Sequence, residues 1–75
     1  MEKFSERLKE LRQSKGLSQS ALAKKLGVSS RNYQRYEYGT IDAPVSVVIA
    51  ALDYFNVSAD YLLGRTDKGL VAKGA

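Results

Sequence analysis

Residues 19–39, QSALAKKLGVSSRNYQRYEYG, decide the fold of this chain. The stretch predicts two short helices, residues 19–26 and residues 30–38, joined at Gly27 and stopped again at Gly39. Glycine at such points favours a helix end, because it adopts the left-handed backbone conformation without a steric penalty. The two helices and their turn form the unit that the rest of the chain is expected to support.

Serines and tyrosines define the ends and faces of this unit. Ser18 and Ser29 precede the two helices and are favourable N-cap residues. Tyr33 and Tyr36, three residues apart, are predicted to point inward. The other faces of the second helix carry polar residues: Ser30, Arg31, Asn32, Gln34 and Arg35. Arginine pairs bidentately with guanine, and asparagine or glutamine with adenine, so this face favours reading of DNA bases. A solvated helix face is the plain alternative.

The preceding residues predict a first helix over residues 4–15. Ser5 is its expected N-cap, and Gly16 is its expected stop. The apolar stripe that would face the core consists of Phe4, Leu8 and Leu11.

Two further helices are predicted after Gly39. Pro44 or Ser46 would open the fourth helix, since proline fits a first helical turn. The apolar repeat that would form its core face is Val45, Val48, Ile49, Leu52 and Phe55. Ser58 would cap a fifth helix over residues 59–63, with Leu62 and Leu63 packing on the core. We therefore expect an all-α bundle of five short helices over residues 1–64 and a flexible tail over residues 65–75.

Charge is distributed unevenly along the 75 residues. The net charge is +4; residues 1–35 contain nine Lys or Arg and three Glu, whereas residues 36–75 contain three basic and five acidic residues. The basic surface therefore belongs to the half that contains the paired helices. This asymmetry is typical of a protein that binds a polyanion, although many small domains have a lysine-rich solvated surface.

Composition argues against several other classes. Without cysteine or histidine there is no disulfide, no thiolate nucleophile and no common zinc ligand, and no metal or cofactor is expected. Ser29 and Ser30 beside Lys24 are the one nucleophile-and-base combination nearby, and capping already explains both serines, so an enzyme is not expected. A chain without a signal-peptide core or the roughly 20 apolar residues of a membrane span is expected to be soluble and cytoplasmic.

The segment LSQSALAKKLGVSSRNYQRYEYG, together with the first helix and the later NVSADYLLG, resembles the helix-turn-helix of the phage-repressor (Cro/Xre-type) family of bacterial transcription regulators. The resemblance covers about residues 4–64. It implies a five-helix bundle that binds double-stranded operator DNA as a homodimer, with the second helix of the motif in the major groove. The base-reading positions it implies are Ser29, Ser30, Arg31 and Arg35.

The resemblance also implies contacts that hold the motif. Arg12 and Glu37 match an arginine and a glutamate that pair across the fold in this family, so a partly buried ion pair is expected. Gln19, in the first turn of the first paired helix, can hold a phosphate through its amide and the free backbone N–H groups there, and the resemblance adds that it braces the first residues of the second paired helix. The residues expected to contact the DNA backbone or brace the site are Gln19, Arg12, Lys24, Asn32, Gln34 and Thr40. Lys15, Lys25 and Arg7 are further candidates for phosphate contact.

The chain departs from the family pattern in the loop after Gly39. This loop contains Asp42 where relatives often carry basic residues, which predicts weaker contact with the DNA backbone there.

The homodimer surface is expected at the helix 4–5 junction, residues 55–61, and no small-molecule ligand is expected. The alternative is an antitoxin or antirepressor-like module that masks a partner protein, using Tyr54, Tyr61 and the region of Leu70 and Val71.

Overall fold

The computed structural model describes residues 2–67, which form five α-helices and no strand. The helices are α1 (Glu2–Ser14), α2 (Gln19–Leu26), α3 (Ser30–Tyr38), α4 (Val45–Phe55) and α5 (Ala59–Leu62). This confirms the predicted all-α bundle. Within the described range, no helix is long and apolar enough to cross a bilayer.

The ends of α2 and α3 are set by the predicted caps. The hydroxyls of Ser18 and Ser29 accept hydrogen bonds from the backbone N–H three residues further on, at 3.0 and 3.1 Å. Gly27 and Gly39 end the two helices at φ of 76° and 79°. In this left-handed region a residue with a side chain would be strained. The boundaries of the paired helices therefore follow from local sequence alone.

The prediction for α1 was wrong at its start. The helix begins at Glu2, so Ser5 lies inside it and is not an N-cap. Ser5 is buried, and its hydroxyl donates to the carbonyl oxygen of Tyr36 at 2.7 Å. Instead of capping the helix, Ser5 joins α1 to α3.

The core face of α4 was predicted correctly only in part. The buried residues are Val47, Ala51 and Phe55, whereas Val45 is 74% exposed and Ile49 is 51% exposed. The helix is apolar on nearly every side, so packing against α2 selects the face with the small Ala51.

The fifth helix ends one residue before the predicted limit, at Leu62. Leu62 is fully buried, but Leu63 is 41% exposed, contrary to the prediction that both would pack on the core. A helix of one turn can direct only one of two adjacent side chains inward.

The core lies between the helices, with α1 and α2 at its centre. Helix α3 packs against α1 and α2, α4 packs against α2, and α5 packs against α1 and α4. The largest fully buried side chains are Tyr33, Phe4, Leu8, Leu22 and Leu62. Since Tyr33 belongs to α3, the helix that is expected to enter the major groove is held through its own inward face.

Candidate nucleic-acid interface

The outward side of α3 presents polar and basic side chains. Ser29, Arg31 and Asn32 are exposed, whereas Gln34 and Arg35 are half-buried. Arg31 and Arg35 are four residues apart, so they lie on one face of the helix, one turn from each other. The structure thus places two arginines on one face of α3, with Arg31 the more accessible.

The serines at the start of α3 have different hydrogen-bonding roles. The Ser29 hydroxyl accepts the cap bond from Asn32, and the hydroxyl oxygens of Ser30 and Ser20 lie 3.0 Å apart, within hydrogen-bonding distance. Sequence analysis missed Ser20, because an exposed serine in the first turn of α2 carries no periodic or motif signal. Its contact arises only from the way α2 and α3 cross.

A buried carboxylate holds the other end of α3. Arg12 donates from Nε and Nη2 to the two oxygens of Glu37, at 2.8 and 2.9 Å. The Tyr33 hydroxyl donates to Glu37 at 2.5 Å, and the Gln19 amide donates to it at 3.0 Å. The side chains of Glu37 and Arg12 are 1% and 13% exposed. One carboxylate therefore joins α1, α2 and α3.

The contacts of Glu37 shift the pKa values of its partners as well as its own. Burial opposes the charge of Glu37, but hydrogen bonds from Arg12, Tyr33 and Gln19 outweigh it and hold the Glu37 pKa below its usual value. The hydrogen bond to Glu37 raises the pKa of Arg12. Burial, reinforced by the bond to Glu37, raises the pKa of Tyr33. At neutral pH the cluster is therefore an ionised carboxylate that accepts hydrogen bonds from a charged arginine, a neutral tyrosine and a glutamine amide.

This cluster redefines two of the expected contacts. The resemblance implied that Gln19 braces the first residues of α3, but its amide nitrogen bonds Glu37 in the last turn instead. Arg12 also donates from Nη1 to the carbonyl oxygen of Leu17 at 2.7 Å. With its nitrogens directed at protein acceptors and little exposed surface, Arg12 is suited to bracing the motif more than to holding a phosphate.

Acid should weaken the fold through Glu37. A carboxylate whose folded pKa lies below the unfolded value of 4.5 stabilises the fold above that value and loses this contribution as the pH falls through the folded pKa. In urea unfolding between about pH 2.5 and 6, we expect the unmodified protein to lose more stability than Glu37→Gln, whose side chain does not titrate. Parallel pH profiles for the two proteins would contradict this.

Surface cations differ in their availability. Lys24 and Lys25 are exposed in the last turn of α2, and Lys15, also exposed, lies over the ring of Tyr54. Arg7 is committed elsewhere: Nη1 donates to the carbonyl oxygens of Tyr61 and Thr66, and Nη2 donates to Asp67 at 2.8 Å. The proposed phosphate role of Arg7 is therefore wrong, since the guanidinium is already used in attaching the end of α5 to α1.

The segment that follows α5 begins in contact with α1. Residues 66 and 67 provide the acceptors for Arg7, so the predicted tail starts as an attached segment. Residues 68–75, which include Leu70 and Val71 of the partner-masking alternative, lie outside the described residues.

The aromatic residues of the partner-masking alternative are half-buried. Tyr61 lies beneath the guanidinium of Arg7 at 4.2 Å, and Tyr54 packs edge-on against Phe55. Phe55, which the expected dimer surface included, belongs to the core. Both tyrosines are thus partly engaged in contacts within the fold.

The loop after α3 provides a hydroxyl and no cation. Thr40 is exposed, and its Oγ1 donates to the carbonyl oxygen of Arg35 at 3.3 Å. Asp42 is exposed as well.

A shallow depression between α1 and the end of α3 has more carboxylates than cations in its lining: Glu2, Ser5, Glu6, Lys9, Glu37, Tyr38 and Gly39. Neither the loop after α3 nor this depression favours binding of a phosphate. Within residues 2–67, no group of three or more His, Cys, Asp or Glu side chains could hold a metal ion.

The fold and the composition of this surface define a helix-turn-helix protein. The family model described as helix-turn-helix matches residues 8–62, and the chain belongs to that family. The match spans both paired helices and the core helices that support them.

Named relatives agree with this assignment. The chain is 37% identical over 64 residues to the HTH-type transcriptional regulator ImmR of Bacillus subtilis (strain 168), which covers 85% of this chain and 50% of that protein. It is 38% identical over 63 residues to the SPbeta prophage-derived uncharacterized HTH-type transcriptional regulator YonR of the same organism, covering 84% and 58% of the two chains. It is also 38% identical over 66 residues to PrpR, an HTH-type transcriptional regulator of Mycobacterium tuberculosis. This match covers 88% of this chain and 14% of PrpR. The chain thus spans little more than half the length of these Bacillus proteins.

Proposed function

We propose that this chain binds double-stranded DNA in a sequence-specific manner and regulates transcription. The observation that carries the proposal is the arginine pair of α3: Arg31 is exposed in the first turn and Arg35 follows one turn later on the same face. Family membership and the names of the relatives support the same function. Net positive charge in the half of the chain that contains this helix adds electrostatic attraction for DNA.

Base reading is assigned to the start of α3. In helix-turn-helix proteins the N-terminal part of the second helix enters the major groove, where arginine pairs with guanine O6 and N7. Arg31 has the exposure that such a contact needs, and Ser29 and Ser30 lie at the same helix end. Arg35, being half-buried, would reach a base one turn further along the groove.

Backbone contacts would fix the register of the helix on the duplex without reading sequence. Lys24, exposed at the end of α2, is the leading candidate, and Asn32, Gln34 and Thr40 lie on the flanks of α3 and in the loop that follows it. Gln19 and Arg12 support these contacts indirectly, because both donate to Glu37 and thereby hold α3 in place.

We further propose that the protein acts as a homodimeric repressor on an inverted-repeat operator. Two copies related by a two-fold axis would place their α3 helices in major grooves about 34 Å apart. The interface is proposed at the α4–α5 junction and α5, where side chains that the core does not use include the exposed Ala59 and, just after α5, Leu63. Phe55 contributes only indirectly, through the position of α4.

A salt titration tests DNA binding itself. By fluorescence anisotropy with labelled duplex DNA, we expect the affinity to fall between about 50 and 200 mM salt. In a plot of the logarithm of the binding constant against the logarithm of the salt concentration, each phosphate contacted should contribute roughly −0.9 to the slope. Absence of binding to any duplex at the lower salt concentration would contradict the proposal.

Replacing Lys24 by alanine should weaken binding to all sequences alike. Removing one phosphate contact reduces the magnitude of the salt slope by about one. Lys3→Ala is the matched control, since Lys3 is also exposed but packs beside Gly64 at the end of α5. A loss confined to particular sequences, or an equal loss in the control, would contradict the role of Lys24.

A further inference from the structure

The hydroxyl of Ser5 joins α1 to the last turns of α3. Ser5 is buried, and its hydroxyl donates to the carbonyl oxygen of Tyr36 at 2.7 Å. A carbonyl oxygen can only accept, so the direction of this hydrogen bond is fixed. The Tyr36 carbonyl is among the last four of α3, which have no i+4 partner inside the helix, and the backbone N–H of Gly39 reaches it only at 3.3 Å. The bond from Ser5 is therefore the shorter of the two that this carbonyl accepts.

The end of α3 packs closely against α1 at this bond. A Cβ atom built on Gly39 would lie 3.5 Å from the hydroxyl oxygen of Ser5. The other attachment of α1 to this end of α3 is the pair of bonds from Arg12 to Glu37. Ser5 and Arg12 are seven residues apart, or about 10 Å along α1 at 1.5 Å per residue. Two separate points of α1 thus hold one end of α3, which fixes the direction of that helix.

The other end of α3 carries the proposed base-reading residues. Arg31 precedes Tyr36 by five residues, about 7.5 Å along the helix axis. A change of tilt at Tyr36 therefore displaces Arg31, and a bidentate pair with guanine requires a fixed geometry. A phosphate contact from a flexible lysine such as Lys24 tolerates such a displacement, because it needs only proximity of charge. Loss of the Ser5 bond should thus affect binding to the preferred sequence more than binding to other sequences.

We propose that Ser5 is a positioning residue for DNA reading: its bond to the Tyr36 carbonyl keeps α3 in the pose in which the first turn of the helix reads bases. This inference rests on the proposed function, since it assumes that α3 enters the major groove. Without the bond, α3 occupies the reading pose for part of the time, and the apparent affinity for the preferred sequence falls with that fraction. Ser5 itself is buried and contacts no DNA in this arrangement.

Anisotropy titrations of Ser5→Ala on two duplexes test the proposal. One duplex carries the sequence that the unmodified protein selects from a random pool, and the other is a scrambled duplex of the same length. We expect the affinity for the selected duplex to fall about threefold to tenfold, the scale of one hydrogen bond. The affinity for the scrambled duplex and the salt slope should stay unchanged, because no phosphate contact is removed. Ser5→Cys, which retains a weak donor, should show an intermediate loss.

Two controls separate reading from folding, with urea unfolding measured for every variant. Ser14→Ala removes a hydroxyl that bonds Leu11 within α1 and should change neither affinity. Val48→Ala shortens a half-buried side chain of α4, which packs mainly against α2 and α5. It should lower the unfolding midpoint without changing the ratio of the two affinities.

An unchanged ratio of the two affinities in Ser5→Ala, whatever its unfolding midpoint, would overturn the inference and leave the proposed function intact. An equal loss on both duplexes would also overturn it, because Ser5 would then act only through the fraction of folded protein. If Ser5→Ala does not fold, the same ratio measured for Ser5→Cys decides. If the unmodified protein enriches no sequence, the proposed function fails, and the inference fails with it.

Discussion

Replacing Glu37 by alanine is expected to lower the free energy of unfolding by about 3–5 kcal/mol, as for other buried ion pairs that lose one partner. The carboxylate accepts from Arg12, Tyr33 and Gln19, so its removal strands one buried charge and two polar donors. A domain of 75 residues has a total stability of roughly 4–11 kcal/mol, at about 0.05–0.15 kcal/mol per residue. The variant should therefore lose a large part of its stability, which urea titrations at 25 °C would show as a lower unfolding midpoint.

Two further variants locate the origin of that loss. Glu37→Gln keeps an acceptor of similar shape but removes the negative charge, so it should be less destabilised than Glu37→Ala. Glu10→Ala removes an exposed carboxylate from α1 and should change the stability by no more than about 0.5 kcal/mol. A loss below about 1 kcal/mol in Glu37→Ala would show that the cluster orients α3 without stabilising the fold.

Arg31→Ala is expected to weaken binding to the preferred sequence by about 1–3 kcal/mol, or about 5- to 150-fold in affinity, and to relax the preference at one base position. A bidentate pair with guanine supplies both the affinity and the discrimination, and alanine provides neither. The fold should be unaffected, because the side chain of Arg31 is exposed. Competition titrations with single-base variants of the preferred site give both quantities.

Arg65→Ala provides the matched control for Arg31. Arg65 is an exposed arginine near Asp60, beyond the end of α5 and away from α3 in the chain. Its removal should leave the base preferences unchanged, even if the affinity falls slightly with the net charge. If Arg31→Ala instead keeps every preference and loses affinity uniformly, Arg31 contacts phosphate and its assigned role is wrong.

The predictable parts of the fold are those determined by local chemistry. Ser18, Gly27, Ser29 and Gly39 each act within a few residues of themselves, so the ends of α2 and α3 followed directly from the sequence. The inward direction of Tyr33 followed in the same way from helical spacing.

The errors occur where several faces were equally apolar or where the partner is distant in the chain. Helix α4 is apolar on nearly every side, so periodicity could not choose between the face of Ile49 and the face of Ala51. Ser5 looked like a cap because its partner, the carbonyl oxygen of Tyr36, becomes visible only in the folded chain.

The candidate site shows the same division. The polar face of α3 could be proposed from the sequence, since residue type and spacing suffice for it. The bonds of Gln19 to Glu37 and of Ser30 to Ser20 depend on the crossing of α2 with α3, which no pattern in the chain specifies. The resemblance to a family suggested the pairing of Arg12 with Glu37, and the folded chain adds Tyr33 and Gln19 as further donors.

The central claim is that α3 reads DNA sequence as one half of a symmetric pair, and selection of bound duplexes from a random pool by the unmodified protein tests it most directly. The account predicts enrichment of an inverted repeat whose half-sites have their centres about 34 Å apart along the duplex, or one helical turn. Enrichment of a single half-site would retain base reading and contradict the dimer. Recovery of a pool with no enriched sequence, from a protein that remains folded, would contradict the claim itself.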